Sequence, residues 1–190
     1  MLSRLALVPG SAPERGAFFW EPTVDGVPAR RLLRFDDPED VDLDVRGLGP
    51  VGENVPVFVH GSPLPWVGRA LALLGEHPAD QLDDGRVPLY VCSACGDTGC
   101  GAIGMRLERT ATTVTWRDFR SETGPNGPAD DPLVVVPGGP FVFDRAQHDA
   151  EVRRFLDTDD AERAALPATA ALFDPQRGGR RPRRRWWLRG

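Results

Sequence analysis

The chain has 190 residues, 41% of them hydrophobic, which suits one globular domain and excludes wholesale disorder. Its net charge of −5 hides a division: sixteen arginines face 28 acids before residue 177, and seven arginines follow. A body that acidic repels nucleic acid and anionic membranes, and three cysteines within nine residues do not make a secreted disulfide framework.

All basic residues are arginine, which reads as the codon usage of a GC-rich genome rather than selection at each site. The 21 glycines and 19 prolines favour short elements joined by many loops. Met1–Gly10 lacks the long apolar stretch of a signal peptide, and no run approaches the ~20 apolar residues that span a bilayer. A cytoplasmic location without membrane association is the expectation.

Residues 1–54 are the hardest to read. Short strands are expected at Ala17–Trp20 and Arg30–Phe35, and the acids of Asp36–Asp44 read as a solvated loop, because the glycine-centred spacing of a calcium loop is missing. Val55–His60 alternates as a strand, with Val55, Val57 and Val59 on one face. Ser62-Pro63 is an N-cap followed by proline at the first helical position. Val67, Leu71 and Leu74 then give a helix over Pro63–Leu74 that Gly75 can end.

Val87–Cys92, Gly101–Arg109 and Thr112–Phe119 are consecutive apolar segments with short connections, which predicts an antiparallel meander. Ser121–Asp131 reads as a polar loop and Phe141–Phe143 as a last short strand. Asp144 with Gln147 three residues on matches a capping box, opening a helix to about Leu156. A further short helix is expected near Ala161–Leu172. The shared faces predict that Val57, Leu71, Ile103, Met105, Leu107, Val114, Trp116, Val152 and Phe155 are buried together. The expected fold is α+β: an antiparallel sheet, with a meander of at least three strands, and two helices packed on one face. It forms a single domain over residues 1–156, with an extension over 157–190 that is acidic and then arginine-rich.

The chemistry concentrates in Cys92, Cys95 and Cys100, spaced C-x2-C-x4-C in a glycine-rich turn. Two thiolates two residues apart suit a zinc knuckle, because turn amides orient both sulfurs on one ion. Zinc requires a fourth ligand, and Asp97, His60, His77 and His148 are the candidates. A C-x2-C after a strand also suits dithiol redox chemistry, although glycines rather than an amphipathic helix follow the pair. The third reading is reduced, partly buried cysteines that shape the turn. His148 precedes Val152 and Phe155 at helical spacing, so a packing role on the apolar face is favoured over ligation. His60 and His77 read as loop histidines. The glycines of Val136–Pro140 make a turn and not a phosphate cradle, since the prolines lack donor amides. No nucleophile elbow, dinucleotide fingerprint, phosphate loop or HExxH occurs.

Two stretches carry a resemblance. Val87–Phe119 holds Cys95-Gly96-Asp97-Thr98-Gly99-Cys100 and Val114-Thr115-Trp116-Arg117-Asp118-Phe119, and further on stands Gly139-Pro140-Phe141-Val142-Phe143-Asp144-Arg145-Ala146-Gln147. Together they resemble a family of small, uncharacterised bacterial proteins with a CGxxGC turn, a VTWxDF strand and a GPFxFDRAQY segment opening a helix. The resemblance spans about the middle two-thirds of the chain and implies relatedness but no activity. The chain departs from that pattern at His148, where tyrosine is usual, which is consistent with packing.

The expected function is a non-catalytic binding or interaction protein, with an unidentified protein partner. The alternatives are a zinc-stabilised domain and a thiol-based oxidoreductase. Nucleic acid could be bound only through Arg177–Gly190, where arginines are interleaved with Trp186 and Trp187. Truncation after Gln176 is expected to leave the melting temperature nearly unchanged. A drop of several degrees in calorimetry would show instead that this segment folds back onto the acidic body. Nucleic-acid affinity, where present, should fall steeply with salt and vanish on the same truncation.

Overall fold

The computed structural model of the chain describes residues 1–12, 17–33, 54–58, 65–77, 82, 85–92, 98, 101–122 and 134–165. The fold is α+β, with two antiparallel sheets and three helices among the described residues. The first sheet joins β1 (Leu5–Ala12), β2 (Ala17–Val24) and β3 (Val27–Pro28). β1 and β2 pair along their whole length, from Leu5↔Val24 to Ala12↔Ala17. Asp25 and Gly26 turn β2 into β3 with φ of 52° and 81°. Two central residues at positive φ match the right-handed twist of a hairpin, and Asp-Gly is the pair that tolerates them. Asp25 is fixed further by Arg4, whose amide donates to Oδ1 at 2.8 Å.

α1 (Ala29–Leu33) follows at once and corrects the expected strand at Arg30–Phe35. Ala-Arg-Arg-Leu-Leu consists of strong helix formers, and Ala29, Arg30 and Leu33 are all buried by the turn of the helix. Gly138 lies against this helix: a Cβ there would come within 2.9 Å of the Leu32 carbonyl oxygen. The φ of 138° at Gly138 also favours glycine.

The second sheet has six strands: β4 (Asn54–Pro56), β5 (Val87–Cys92), β6 (Ala102–Arg109), β7 (Thr113–Glu122), β8 (Val134–Val135) and β9 (Phe141–Asp144). β5, β6 and β7 form the expected meander. β7 extends through Ser121 and Glu122, which had read as loop. β8 and β9 both pair with β7, at Arg120–Ser121 and at Thr113–Trp116. They behave as one strand interrupted at Pro137-Gly138-Gly139-Pro140, where two residues have no amide to donate.

α2 (Pro65–Leu73) ends as Gly75 requires. Gly75 has a φ of 71°, its amide donates to Ala72, and the Glu76 amide donates to Leu71, the two bonds of a Schellman cap. α3 (Arg145–Ala165) starts at the expected cap, with the Gln147 amide donating to Asp144 Oδ1 at 2.9 Å. It runs well past Leu156. α2 packs on β5 and on α3, and α3 packs on β7, β9 and β1. No described helix is long and apolar enough to cross a membrane.

Short links draw the sheets into a curled whole. The Trp20 amide donates to the Phe58 carbonyl at 2.7 Å, and the Ser3 amide donates to Val142 of β9 at 2.7 Å. Beyond Ser3 the same edge of β1 is met by α3. Gln147 accepts from the Leu5 amide at 3.1 Å and donates back to its carbonyl at 2.6 Å. Glu151 Oε1 accepts from the Leu7 amide at 2.6 Å, and Arg154 donates to the Leu7 carbonyl at 2.7 Å. Side chains at i, i+4 and i+7 of one helix face thus replace a neighbouring strand. Gln147 therefore does not close the capping box as expected; its amide is spent on Leu5.

The core holds Val57, Ile103, Met105, Val114, Trp116, Val152 and Phe155 together, all at most 3% exposed. Leu71 and Leu107 are partly buried against it. Phe155 stacks edge-on against Phe58 at 5.2 Å and Trp20 at 6.2 Å. The expected features at Asp36–Asp44, at Val59 and His60, at residues 123–131 and beyond Ala165 lie outside the described residues.

Glu151→Ala would leave the Leu7 amide without its acceptor at a site closed by the helix, and is expected to cost about 1–3 kcal/mol. Asp144→Ala should cost about 1 kcal/mol through the lost cap alone. Urea unfolding midpoints measure both, and an unchanged midpoint in Glu151→Ala would contradict the edge role of Glu151.

Candidate functional site

The cysteine hairpin leaves and re-enters the second sheet at one end. Cys92 is the last residue of β5, half-buried and opposite Asn54 of β4. The pair Val91↔Ala102 sets the two roots of the hairpin side by side. Thr98 is buried, and its carbonyl accepts from the Gly101 amide at 3.1 Å. Cys95, Cys100, Asp97 and His60 lie outside the described residues. His77 is exposed just after α2, with its ring beside Gly68.

His148 is elsewhere. It is fully buried against Trp116, which pairs with Leu107 on β6. Five residues of β6 separate Leu107 from Ala102, about 16 Å at strand rise. Both ring nitrogens are engaged: Trp116 Nε1 donates to Nε2 at 3.2 Å, and Nδ1 lies 3.0 Å from Asp149 Oδ1. Among the described residues no three His, Cys, Asp or Glu side chains stand together as metal ligands.

Beyond the hairpin, three buried or part-buried polar clusters stand out among the described residues. The first joins β2, α1 and β5. Glu21 is fully buried and accepts from Tyr90 Oη at 2.7 Å through one oxygen and from Arg30 at 2.8 Å through the other. The Arg30 guanidinium lies 5.3 Å from the Tyr90 ring centre and 5.9 Å from that of Phe19. Burial pushes the Tyr90 hydroxyl well above its usual pKa, and the adjacent Glu21 charge adds to this.

The second cluster surrounds a bulge in β7. Gly104 pairs with Arg120 but Arg106 pairs with Arg117, so Asp118 and Phe119 together oppose Met105. Asp118 has a φ of 52°, which aspartate tolerates better than most residues. Its carboxylate meets the buried Arg86 at 2.7 Å, Arg106 at 3.1 Å and Arg120 at 3.4 Å. The hydrogen bond from Arg86 chiefly holds the Asp118 pKa below the usual carboxylate range.

The third cluster continues from His148. Asp149 Oδ2 meets Arg109 at 2.6 Å, and Arg109 also donates to the Leu73 carbonyl at the end of α2 at 2.8 Å. A guanidinium on the last carbonyls of a helix is a favourable dipole contact. Burial pulls the His148 pKa down, against the pull of Asp149 in the other direction. Burial also raises Asp149, but its bonds to Arg109 and His148 outweigh this and leave it lowered.

Glu21, Tyr90 and Asp118 were not singled out from the sequence. A weak signal existed: Glu21 directly follows the apolar run Phe18-Phe19-Trp20, and Asp118 interrupts the alternation of Val114–Phe119. A charge in an apolar strand demands a partner once buried. No protein-family model, curated protein or solved structure matches the chain.

Glu21→Ala would remove the buried carboxylate that Arg30 and Tyr90 bond and is expected to cost about 3–5 kcal/mol. Tyr90→Phe removes one donor to Glu21 and should cost about 1–3 kcal/mol. Denaturant unfolding of both variants and of the double mutant measures the coupling. Strictly additive losses would contradict a shared cluster.

Proposed function

We propose that this chain is a non-catalytic binding or interaction protein that presents its three-cysteine hairpin to a protein partner. The observation that carries the reading is how the buried polar groups are used. Both oxygens of Glu21, both nitrogens of His148 and both oxygens of Asp118 and Asp149 bond other parts of the framework. Among the described residues these groups cross-link elements of the fold, so their bonding serves to hold it together. Contact then falls to the surface, with the hairpin at the sheet end its most chemically loaded part. The resemblance to uncharacterised bacterial proteins is compatible with this reading and supplies no activity. Nucleic acid enters the proposal only through Arg177–Gly190.

A zinc knuckle is the second reading. It is favoured by the pairing of Val91 with Ala102, which places the two roots of the hairpin on neighbouring strands. Three thiolates with a fourth ligand supplied by Asp97, His60 or His77 would then stabilise the contact surface. The third reading, thiol-based redox chemistry, needs a thiol of depressed pKa.

One set of measurements separates the three. Under the binding reading, protein purified without chelator carries no stoichiometric metal and its thiols react at the ordinary rate at neutral pH. A partner recovered from the native host then rebinds as a purified component, and Ser93→Arg in the hairpin weakens that binding more than tenfold without changing the melting temperature. About one zinc per chain, lost in Cys95→Ser or Cys100→Ser, would establish the knuckle. A fast-reacting thiol without metal would overturn both in favour of redox chemistry.

A further inference from the structure

We propose that the chain Trp116–His148–Asp149–Arg109 is a proton-operated latch that fastens the first turns of α3 to the sheet and releases them on acidification. The proposal goes beyond the binding reading and does not depend on it.

The geometry admits one protonation state. The indole of Trp116 can only donate, so His148 Nε2, 3.2 Å away, must be bare to accept. The single imidazole proton therefore sits on Nδ1, which faces Asp149 Oδ1 at 3.0 Å. A second proton can enter only at Nε2, where it would meet the indole N–H head-on. His148 is 0% exposed, so no water can take up the displaced bond without movement of the helix. From α3, Asp149 faces the ring, with Arg145 3.6 Å from its carboxylate. From β6, Arg109 bonds the far oxygen of Asp149; from β7 comes Trp116; from β9 the uncharged Phe143 lies 5.8 Å from the ring centre. α2 contributes the Leu73 carbonyl that holds Arg109. Asp149 favours the imidazolium, whereas burial, Arg109 and the positive N-terminal end of α3 oppose it.

The sign follows from linkage. Burial holds the His148 pKa in the closed state below its ordinary 6.5, whereas a released, hydrated His148 titrates near that value. Between the two values the open form binds more protons than the closed form. The latch is therefore fully engaged above pH 6.5 and is weakened as the pH falls through that window. The open-to-closed ratio rises by up to about tenfold per pH unit.

Release has a defined consequence. The same turns of α3 carry Gln147 and Glu151, which hold the Leu5 and Leu7 amides. Freed, they would leave the outer edge of β1 with unpaired donors, a surface that accepts another extended segment.

The test is NMR on the full chain between pH 7.5 and 5, following the histidine rings, the Trp116 indole proton and hydrogen exchange at Leu5 and Leu7. The expected result is that His148 titrates below 6.5 and that the Trp116 signal loses its hydrogen-bonded shift with the same midpoint. Exchange at Leu5 and Leu7, corrected for intrinsic rate, should accelerate by up to about tenfold per pH unit in the same window. His148→Gln keeps an acceptor for the indole and carries no titrating proton, so it should abolish the response. An unchanged response in His148→Gln overturns the proposal. So does a wild-type His148 that titrates while Trp116, Leu5 and Leu7 stay unaffected, a result that needs no variant to fold.

Discussion

An edge strand must find partners for its outward amides and carbonyls, and in this protein most of the architecture answers to that demand on β1. β1 pairs with β2 on one side only, so Ser3, Leu5 and Leu7 point their backbone groups away from the sheet. Ser3 is met by β9, and Leu5 and Leu7 are met by three side chains of α3. That substitution dictates the sequence of the helix on one face: an amide that can donate and accept at Gln147, a carboxylate at Glu151, a guanidinium at Arg154. Pro9 keeps the parity of Leu5 and Leu7, so its missing donor falls on the outer edge and leaves the pairing with β2 intact. Arg154 also lies 4.6 Å from the Trp20 ring centre, so one side chain serves both the edge and the aromatic core.

The buried ion pairs carry the second organising role. Glu21, Arg30 and Tyr90 come from β2, α1 and β5, so the cluster spans both sheets and the helix between them. Burying charge contributes little net stability, but a mismatched arrangement would strand a charge, and this penalises alternative packings. Arginine suits the task where lysine would not, because its planar fork reaches several acceptors at once. Arg109 uses two nitrogens to join α2 to α3, and Arg86 uses two to hold Asp118 in its bulge.

Periodicity made the meander legible. Ile103, Met105, Val114 and Trp116 lie on buried strand faces, and local hairpin connections leave little choice of partner. The end of α2 and the start of α3 were legible for the same local reason, since Gly75 and Asp144 act on their own neighbours. Of the first sheet only the start of β2 was legible, as the strand expected at Ala17–Trp20. Pro9, Gly10 and Pro22 obscure the alternation in β1 and β2, and the turn signal of Asp25-Gly26 stands beside a strand of only two residues. The strand expected at Arg30 failed because a buried arginine was not anticipated, and its partner Glu21 lies on another element. The cysteines were conspicuous in the sequence, yet His148, one of their candidate partners, is drawn into the opposite end of the sheet by Trp116. Which polar residues meet is set by long-range packing, and spacing along the chain does not carry that information.

The bonds that complete β1 join residues 142, 144 and 147 positions apart. Loop closure on that scale is slow compared with the β6–β7 hairpin, whose partners are neighbours in the chain. During synthesis the β1–β2 hairpin emerges first and α3 long afterwards. Leu5, Leu7 and Trp20 must therefore wait, with their apolar surface uncovered, until nearly the whole described fold has left the ribosome. The protein is in this sense completed from its far end. That delay places the nascent hairpin among the segments that chaperones would be expected to engage.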